Sequence, residues 1–266
     1  MLVNLRHIAE RFSRGVILRR RLPKQFQGLQ LYVSPEASLS YWRWDVEKAD
    51  PMLFRMVREL VRPGSVVWDV GANVGLFSFS AAALAGPGGF VLAIEPDVWL
   101  AHLLTRSAQR IQRHSAEVAP VAVLCVAASE ANRIGRLQIA ERERAANYLS
   151  EAKGSSQAGG HRYQQQTPTV SLDFLLDYFP APSVLKIDVE TAEVNVLRGA
   201  SRLLSMVHPV IWCEVAVDNS ETVSELLRQD AYELYPAAVE PAKRTILTRA
   251  PWDTLAVPKV QEEIQS

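Results

Sequence analysis

The sequence predicts an α/β fold built on a doubly wound, mostly parallel sheet. Short, almost wholly apolar runs alternate with longer runs of helical periodicity, and strands without a polar face are typical of a parallel sheet covered by helices on both sides. The 266 residues are 48% hydrophobic and 22% charged, an ordinary globular composition with enough apolar residues for one sizeable core. We therefore expect one main domain.

The regular elements of this domain begin at residue 50. A first helix takes Asp50 as its N-cap and Pro51 as its first residue, and Pro63 and Gly64 end it. Asp97 caps a later helix in the same way. Buried strands are expected at 65–70, 89–96, 121–129, 183–190 and 209–217, with helices at 76–86, 97–113, 191–205 and 220–230 and a weaker β-rich tail near 253–258.

The alternation of strands and helices is interrupted between Asn132 and Pro168. This segment is polar and rich in Gly, Ser and Gln, and a long stretch without periodicity inside a compact domain is typical of a functional lid or a mobile loop. A hidden pair of strands is the alternative, because residues 133–140 alternate and order resumes at 167–179.

Residues 1–49 form an N-terminal extension to the domain at 50–266. Its first 29 residues have apolar side chains at near-helical spacing, which predicts an amphipathic basic helix. We interpret this helix either as a solvated element packed on the domain or as a contact with a membrane surface or an acidic partner. Its charged residues are Arg6, Arg11, Arg14, Arg19, Arg20, Arg21 and Lys24, against Glu10. A strand at 29–34 and an aromatic segment with Tyr41, Trp42 and Trp44 follow.

The charge and the cysteines indicate a cytoplasmic protein that does not bind nucleic acid. The net charge is zero, so the whole molecule has no electrostatic attraction to a polyanion. Cys125 and Cys213 both lie in apolar runs, and we interpret them as reduced core residues. Charges from Arg6 onward interrupt any apolar stretch, so we expect no cleaved signal peptide.

A glycine-spaced turn follows the first strand and predicts a ligand site. The pattern is Asp69-x-Gly71-x-Asn73-x-Gly75, which lacks the glycine spacing of a dinucleotide fingerprint, and no P-loop sequence occurs in the chain. The spacing resembles the first motif of class I S-adenosylmethionine-dependent methyltransferases. There, Asp69 would face the ammonium of the cofactor and the backbone N–H groups of the turn would face its carboxylate.

Glu95 ends the second strand, where an acid can accept hydrogen bonds from a ribose diol. Taken singly, each acid also has an explanation without a ligand: Asp69 could cap a helix, and Glu95 could be a solvated acid at a strand end. Their occurrence on consecutive strands at this spacing favours a cofactor site.

Four further acids stand at or just after the ends of the later strands. Asp188 ends an apolar strand, where its carboxylate needs partners that offset its desolvation, so we favour a functional role. Glu190 and Glu193 come next at the start of a helix, where capping alone would explain them. Glu214 ends the next strand. These acids suit the activation of a hydroxyl group, either directly or, as the less favoured route, through a bound divalent cation.

The chain resembles the FkbM family of S-adenosylmethionine-dependent methyltransferases. The resemblance is carried by DVGANVG, IEP, VSLDFLL and LKIDVETAEVNVLRGA, and extends from about Asp50 to Val217. It implies a class I, seven-stranded sheet whose last strand comes antiparallel from the C-terminal tail. It also implies O-methylation of a hydroxyl on a natural product or sugar. The implied cofactor residues are Asp69, Gly71, Ala72, Asn73, Gly75, Glu95 and Asp188, and the implied catalytic residues are Asp188, Glu190 and Glu214.

One residue departs from the family pattern. Thr191 stands where the family has glycine, so a methyltransferase-fold protein that binds or assembles without catalysis stays an alternative. A separate and less favoured alternative is an RNA-directed methyltransferase, for which the only basic run is the N-terminal one. Among the histidines, His161 lies in the polar segment and is interpreted as a solvated side chain rather than a general base.

Overall fold

The computed structural model describes residues 12–150 and 160–259. Its strands in chain order are β1 (Leu18–Arg21), β2 (Gln30–Val33), β3 (Val66–Val70), β4 (Phe90–Ile94), β5 (Val121–Leu124), β6 (Ala127–Ala128), β7 (Arg133–Ala140), β8 (Tyr148–Leu149), β9 (His161–Val170), β10 (Val184–Ile187), β11 (Val210–Glu214), β12 (Tyr232–Pro236) and β13 (Asp253–Pro258). Its α-helices are α1 (Pro51–Leu60), α2 (Leu76–Ala85), α3 (Val98–His114), α4 (Leu172–Leu175), α5 (Glu193–Arg198) and α6 (Ser220–Gln229).

The main sheet has seven strands in the order β12-β13-β11-β10-β3-β4-β5. Neighbouring strands from β11 to β5 pair in parallel, and β13 pairs antiparallel with both β11 and β12. The predicted fold class is therefore confirmed, including the antiparallel strand from the C-terminal tail. Because β3, β4, β10 and β11 run the same way, their carboxyl ends meet at one edge of the sheet.

Both faces of the sheet are buried, as the apolar strands predict. Val67 of β3 packs into one hydrophobic cluster, and the next residue, Trp68, packs into the cluster on the other face. The predicted caps hold: the side chain of Asp50 accepts from the Leu53 N–H at the start of α1, and that of Asp97 accepts from the Trp99 N–H at the start of α3. The helix α2 is buried around almost its whole circumference, so it is an internal element rather than an amphipathic one.

The polar segment contains the strand pair that the alternation indicates. The strands β7 and β9 pair antiparallel from Arg133–Thr169 to Ala140–His161 and form, with β6 and β8, a second sheet of four strands. Residues 151–159 lie outside the described part of the chain. Order in this segment means that it supplies fixed walls beside the carboxyl edge of the main sheet.

The N-terminal extension shares its core with the main domain. Phe26 packs on Phe54 of α1 with 5.4 Å between ring centroids, and the Tyr32 N–H donates to the Ser107 hydroxyl of α3 at 2.9 Å. The division at residue 50 stays a prediction. No helix within residues 12–150 and 160–259 is both long enough and apolar enough to cross a lipid bilayer.

Two expectations from the sequence are wrong. Arg19 to Arg21 do not belong to a basic helix, because they lie in the hairpin strand β1; residues 1–11 lie outside the described residues. Cys125 is exposed rather than buried, since β5 is the edge strand of the sheet and stops at Leu124. Cys213 is buried as expected, and neither cysteine forms a disulfide.

Candidate active site

The glycine turn after β3 is fixed by close contact with the strand end of β10. Gly71 has φ +80°, and a Cβ there would lie 1.8 Å from the Asp188 carbonyl oxygen, so no other residue fits this backbone. The Gly71 and Ala72 N–H groups both donate to the Ile94 carbonyl at 3.0 Å, and the Gly75 N–H donates to Ala72. The turn thus draws β3, β4 and β10 together at the sheet edge.

These bonds correct one expectation about the turn. The N–H groups of Gly71, Ala72, Asn73 and Gly75 all donate within the protein, so they do not form an open cradle for a carboxylate. Asn73 takes a left-handed backbone, with φ +52°, and its Oδ1 is buried without a hydrogen-bond partner among the described residues. The side chain of Asn73 thus offers a ligand one unpaired acceptor at the turn.

Asp69 lies beneath the turn in a buried ion pair. Its Oδ1 is 3.3 Å from the Lys186 Nζ, outside hydrogen-bond geometry, and its Oδ2 accepts from the Ser78 hydroxyl at 2.5 Å. The two residues are neighbours in the parallel register of β3 and β10, which places their side chains on the same face. Lys186 also donates to the Gly71 carbonyl and to Asp188 Oδ2, each at 3.2 Å.

Lys186 is a functional residue that the sequence analysis missed. It is buried, which lowers the pKa of its ammonium, but the charges of Asp69, Asp188 and Glu214 outweigh this and raise that pKa above its usual value. The ammonium therefore stays charged and holds the turn to the end of β10. The signal in the sequence was a lysine between Leu185 and Ile187 in an otherwise apolar run, because such a cation needs a buried partner.

Glu95 is held at the end of β4 by backbone donors. Its Oε2 accepts from the Asn73 N–H at 2.8 Å and its Oε1 from the Asp97 N–H at 2.9 Å. Burial, reinforced by the charge of Asp97, raises the pKa of the Glu95 carboxyl to about 8, although the two backbone bonds oppose the shift. Each carboxylate oxygen retains capacity for a further donor, so the group can still bind a hydroxyl pair.

Two adjoining cavities bring most of the predicted site residues together. The first, of about 900 Å³ with its open mouth, is lined by Gly71, Asn73, Glu95, Asp188, Glu190 and Glu214, with Pro96, Leu100, Ala127 and Ala128 as apolar walls. The second, of about 740 Å³, is lined by Ala72, Phe77, Lys186, Trp212 and, from the extension, Tyr41 and Asp50. Gly71, Asn73, Asp188 and Glu214 line both cavities.

Two acids in the wall of the first cavity have pKa values raised toward neutral pH. Burial, with the charge of Asp188, raises the pKa of Glu190 to about 7. Burial and Asp188 likewise raise the pKa of Glu214 to about 8, against the opposing charge of Lys186. Carboxyl groups with such pKa values can accept and release protons under physiological conditions, as an acid–base catalyst must.

Other predicted residues lie apart from the cavities. Asp69 and Gly75 line neither one. Gly75, with φ +89°, begins α2 where a Cβ would clash with Leu104 and Phe79. His161 is exposed at the start of β9, and Trp42 and Trp44 are exposed as well, so none of them forms a wall of the site.

Glu193 accepts from the Thr191 N–H at 2.8 Å and from the Asn219 amide at 2.6 Å, which matches the capping interpretation.

A buried charge network fixes the second sheet against the first cavity. Arg144 binds Glu36 Oε1 at 2.9 Å and Asp97 Oδ2 at 2.6 Å, and Arg162 binds the same Glu36 oxygen at 2.6 Å. The Asn147 amide also donates to Asp97 Oδ2, at 2.7 Å. The network ties the extension, the cap of α3 and the polar segment together, and it places Arg144 and Asn147 in the cavity wall.

Within residues 12–150 and 160–259, no group of three or more His, Cys, Asp or Glu side chains is arranged to hold a metal ion.

The turn after β10 has a backbone that suits glycine at position 191, where the family resemblance predicts one. Glu190 and Thr191 both have a left-handed backbone, with φ +45° and +74°. A β-branched residue is strained there, and the Thr191 hydroxyl is buried with no partner among the described residues. Thr191 thus adopts a backbone conformation that favours glycine, and this lowers the stability of the folded protein.

The substitution Thr191→Gly is expected to raise the free energy of unfolding by about 1 kcal/mol, because it relieves the strain and removes the unpaired hydroxyl. This corresponds to a melting temperature higher by about 2–4 °C in thermal denaturation. Thr191→Ala is the matched control: it removes the hydroxyl but keeps the Cβ, so it should gain less. A lower melting temperature for Thr191→Gly than for wild type would contradict the claim that the backbone at Thr191 is strained.

Comparisons with known proteins identify the family of the chain. The model of the methyltransferase FkbM domain matches residues 69–234. The hexuronic acid methyltransferase AglP of Haloferax volcanii is 27% identical over 176 residues, which are 64% of this chain and 64% of AglP. The chain thus spans less than two thirds of the length of that relative.

Two solved structures are similar at low identity. The methyltransferase FkbM of Methylobacillus flagellatus is 17% identical, with a TM-score of 0.45 over 76% of this chain and 49% of that one. The precorrin-6y C5,15-methyltransferase of Geobacter metallireducens is 14% identical, with a TM-score of 0.44 over 79% of this chain and 85% of that one. Since the family model covers more than half of the residues and includes both the glycine turn and the acids after β10 and β11, the chain belongs to the FkbM methyltransferase family.

Proposed function

We propose that the protein transfers the methyl group of S-adenosylmethionine to a hydroxyl oxygen of a sugar. The observation that carries the proposal is the convergence of Gly71, Asn73, Glu95, Asp188 and Glu214 on adjoining cavities at one sheet edge. The sugar acceptor rests on the relation to AglP, whose name describes a hexuronic acid methyltransferase.

The residues present fit the cofactor. In the first cavity, Glu95 would accept hydrogen bonds from the ribose, and the apolar wall around Leu100 would cover the base. The second cavity would take the methionine end, because Asn73 Oδ1 and Asp188 can accept from an ammonium and Lys186 supplies a cation for a carboxylate. When bound, S-adenosylmethionine supplies an electrophilic methyl group on a sulfonium sulfur.

Asp69 acts as a positioning residue in this proposal. It lines neither cavity, but its ion pair with Lys186 sets the place of the glycine turn and of Asp188. This role differs from the direct contact with the ammonium that the sequence indicates for Asp69.

Glu214 is the general base in this proposal. It lies at the junction of the two cavities, where a hydroxyl group facing the methyl group would be held, and its pKa of about 8 is close to working pH. As a carboxylate, Glu214 would take the hydroxyl proton and leave the oxygen as a nucleophile for the methyl group that the cofactor would supply. Asp188, held by Lys186, orients the acceptor beside it. Glu190 lines only the first of the two cavities, and its carboxyl group interacts electrostatically with that of Asp188.

The test is a transfer assay with tritiated S-adenosylmethionine and full-length protein. The acceptors are methyl glycosides of neutral hexoses, the matching hexuronosides and total RNA. Label on a glycoside as an alkali-stable methyl ether supports the proposal, whereas an alkali-labile product would indicate a methyl ester. Label on RNA, or cofactor binding without turnover on any acceptor, would contradict it.

We also propose a cytoplasmic location. Both cysteines are free thiols and Cys125 is exposed, which suits a reducing compartment.

A further inference from the structure

An arginine-rich groove lies on the N-terminal extension, outside the two cavities. We call it the basic groove; its walls are Ile17, Leu18, Arg19, Arg20, Arg21, Gln30, Tyr32, Trp44 and Arg106. The groove has four arginines and no acidic residue, although the chain as a whole has no net charge. Local positive charge of this kind attracts anions over several ångströms.

The hairpin of β1 and β2 sets the direction of these side chains. Arg19 pairs with Tyr32 and Arg21 with Gln30, so these four residues share one face of the hairpin. Arg20 points the other way and is buried. Its guanidinium donates to the carbonyl oxygens of residues 41, 42 and 43 at 3.1, 3.2 and 2.7 Å. Arg20 therefore has a structural role, while Arg19 and Arg21 remain exposed.

Among the described residues, the other guanidinium groups of the groove have no carboxylate partner. Arg106 of α3 lies over the Tyr32 ring, 4.2 Å from its centroid, and in the described part of the chain no acid pairs with it or with Arg19 or Arg21. This differs from Arg144 and Arg162, which pair with the carboxylates of Glu36 and Asp97. Unpaired guanidinium groups on one face are suited to bind phosphate oxygens.

Exposed aromatic side chains accompany the guanidinium groups. Trp44 is 83% exposed and lies against Arg20, 4.7 Å from the guanidinium carbon to the ring centroid. Phe12 is 77% exposed, and the indole N–H of Trp42 donates to the adjacent Ser13 hydroxyl at 3.1 Å, so these aromatics belong to one region. Exposed Trp and Phe beside Arg are typical of surfaces that enter the headgroup layer of a bilayer.

We propose that the basic groove docks the protein peripherally on an anionic lipid bilayer. Arg19, Arg21 and Arg106 contact lipid phosphates, and Trp44 enters the interfacial layer. The exposed Trp44 and Phe12 suit the interfacial layer of a bilayer, and the zero net charge of the chain gives no general attraction to RNA. Tyr41 links the groove to the catalytic region, because it lines the second cavity and Arg20 binds its carbonyl. A docked protein would therefore meet acceptors near the membrane surface.

The test is cosedimentation of full-length protein with vesicles of phosphatidylcholine alone or mixed with phosphatidylserine. Wild type should bind the anionic vesicles only, and added salt should weaken the binding. The variant Arg19→Gln/Arg21→Gln/Arg106→Gln should bind roughly 100-fold more weakly. Trp44→Ser should bind roughly 10-fold more weakly, because it loses apolar burial in the interface.

The matched control is Arg136→Gln/Arg198→Gln/Arg228→Gln, which removes three exposed arginines outside the groove. It should keep vesicle binding, and both triple variants should keep methyl transfer to soluble acceptors and the wild-type melting temperature. The proposal is overturned if wild type does not bind anionic vesicles, if it binds neutral vesicles equally, or if both triple variants lose binding alike. Retention of RNA without vesicle binding would overturn it in favour of a nucleic acid partner.

Discussion

The substitution Lys186→Met is expected to lower the free energy of unfolding by about 3–5 kcal/mol, because it leaves a buried carboxylate without its cation. Asp69 is fully buried, and among the described residues its side chain has the Lys186 ammonium and the Ser78 hydroxyl as partners. Methionine fills nearly the same volume, so packing contributes little to the loss. Chemical denaturation of the two proteins measures the difference.

Two comparisons separate the ion pair from a general effect of the substitution. In the background Asp69→Asn, Lys186→Met should cost less, because the unpaired negative charge is already gone. On the surface, Lys243→Met removes an exposed pair with Glu240 at 3.1 Å and should change stability by less than about 1 kcal/mol. Equal losses for Lys186→Met in both backgrounds would contradict the role of the pair.

The substitution Glu214→Gln is expected to reduce kcat for methyl transfer by about 10²–10⁴-fold, because glutamine cannot take the hydroxyl proton. Cofactor affinity should stay close to that of wild type. Burial raises the pKa of Glu214 to about 8, and a base works only when deprotonated. The wild-type rate should therefore rise with pH and level off above about pH 8, and the variant should lose this rise.

Glu190→Gln is the matched comparison, since the pKa of Glu190 is about 7 and its side chain lines only the first cavity. It should retain the rise near pH 8 and most of kcat. If Glu190→Gln removed the rise and Glu214→Gln retained it, the base would be Glu190 and the assignment made here would be wrong. The acceptor for both assays is the glycoside that the transfer assay identifies.

The main sheet could be predicted because each of its strands is recognisable from its own run of apolar residues. An apolar run such as 65–70 must be covered on both faces, and the antiparallel tail follows from the family resemblance. The caps Asp50 and Asp97 are local as well, since each side chain bonds to an N–H two or three residues away. The glycine turn could be located for a similar reason: its backbone demands glycine whatever surrounds it.

The parts that the sequence did not reveal depend on pairing between distant residues. Asp69 was interpreted as a ligand because it stands near a strand end, but β3 continues to Val70 and the register with β10 turns its carboxylate toward Lys186. Glu36 and Arg144 are 108 positions apart and meet only after the second sheet has formed. Local patterns identify which residues are unusual, but the tertiary fold determines what each one contacts.

The most direct test of the cofactor site is calorimetric titration with S-adenosylhomocysteine, comparing wild type with Glu95→Ala and with Glu225→Ala, an exposed acid on α6. The account predicts that Glu95→Ala binds roughly 10- to 100-fold more weakly, because charged hydrogen bonds to the ribose are lost, and that Glu225→Ala binds normally. Since burial raises the pKa of Glu95 to about 8, wild-type affinity should also increase from pH 7 to pH 9 as the carboxyl ionises, and Glu95→Ala should not show this increase. No binding to folded wild-type protein, or equal binding by Glu95→Ala, would contradict the cofactor site.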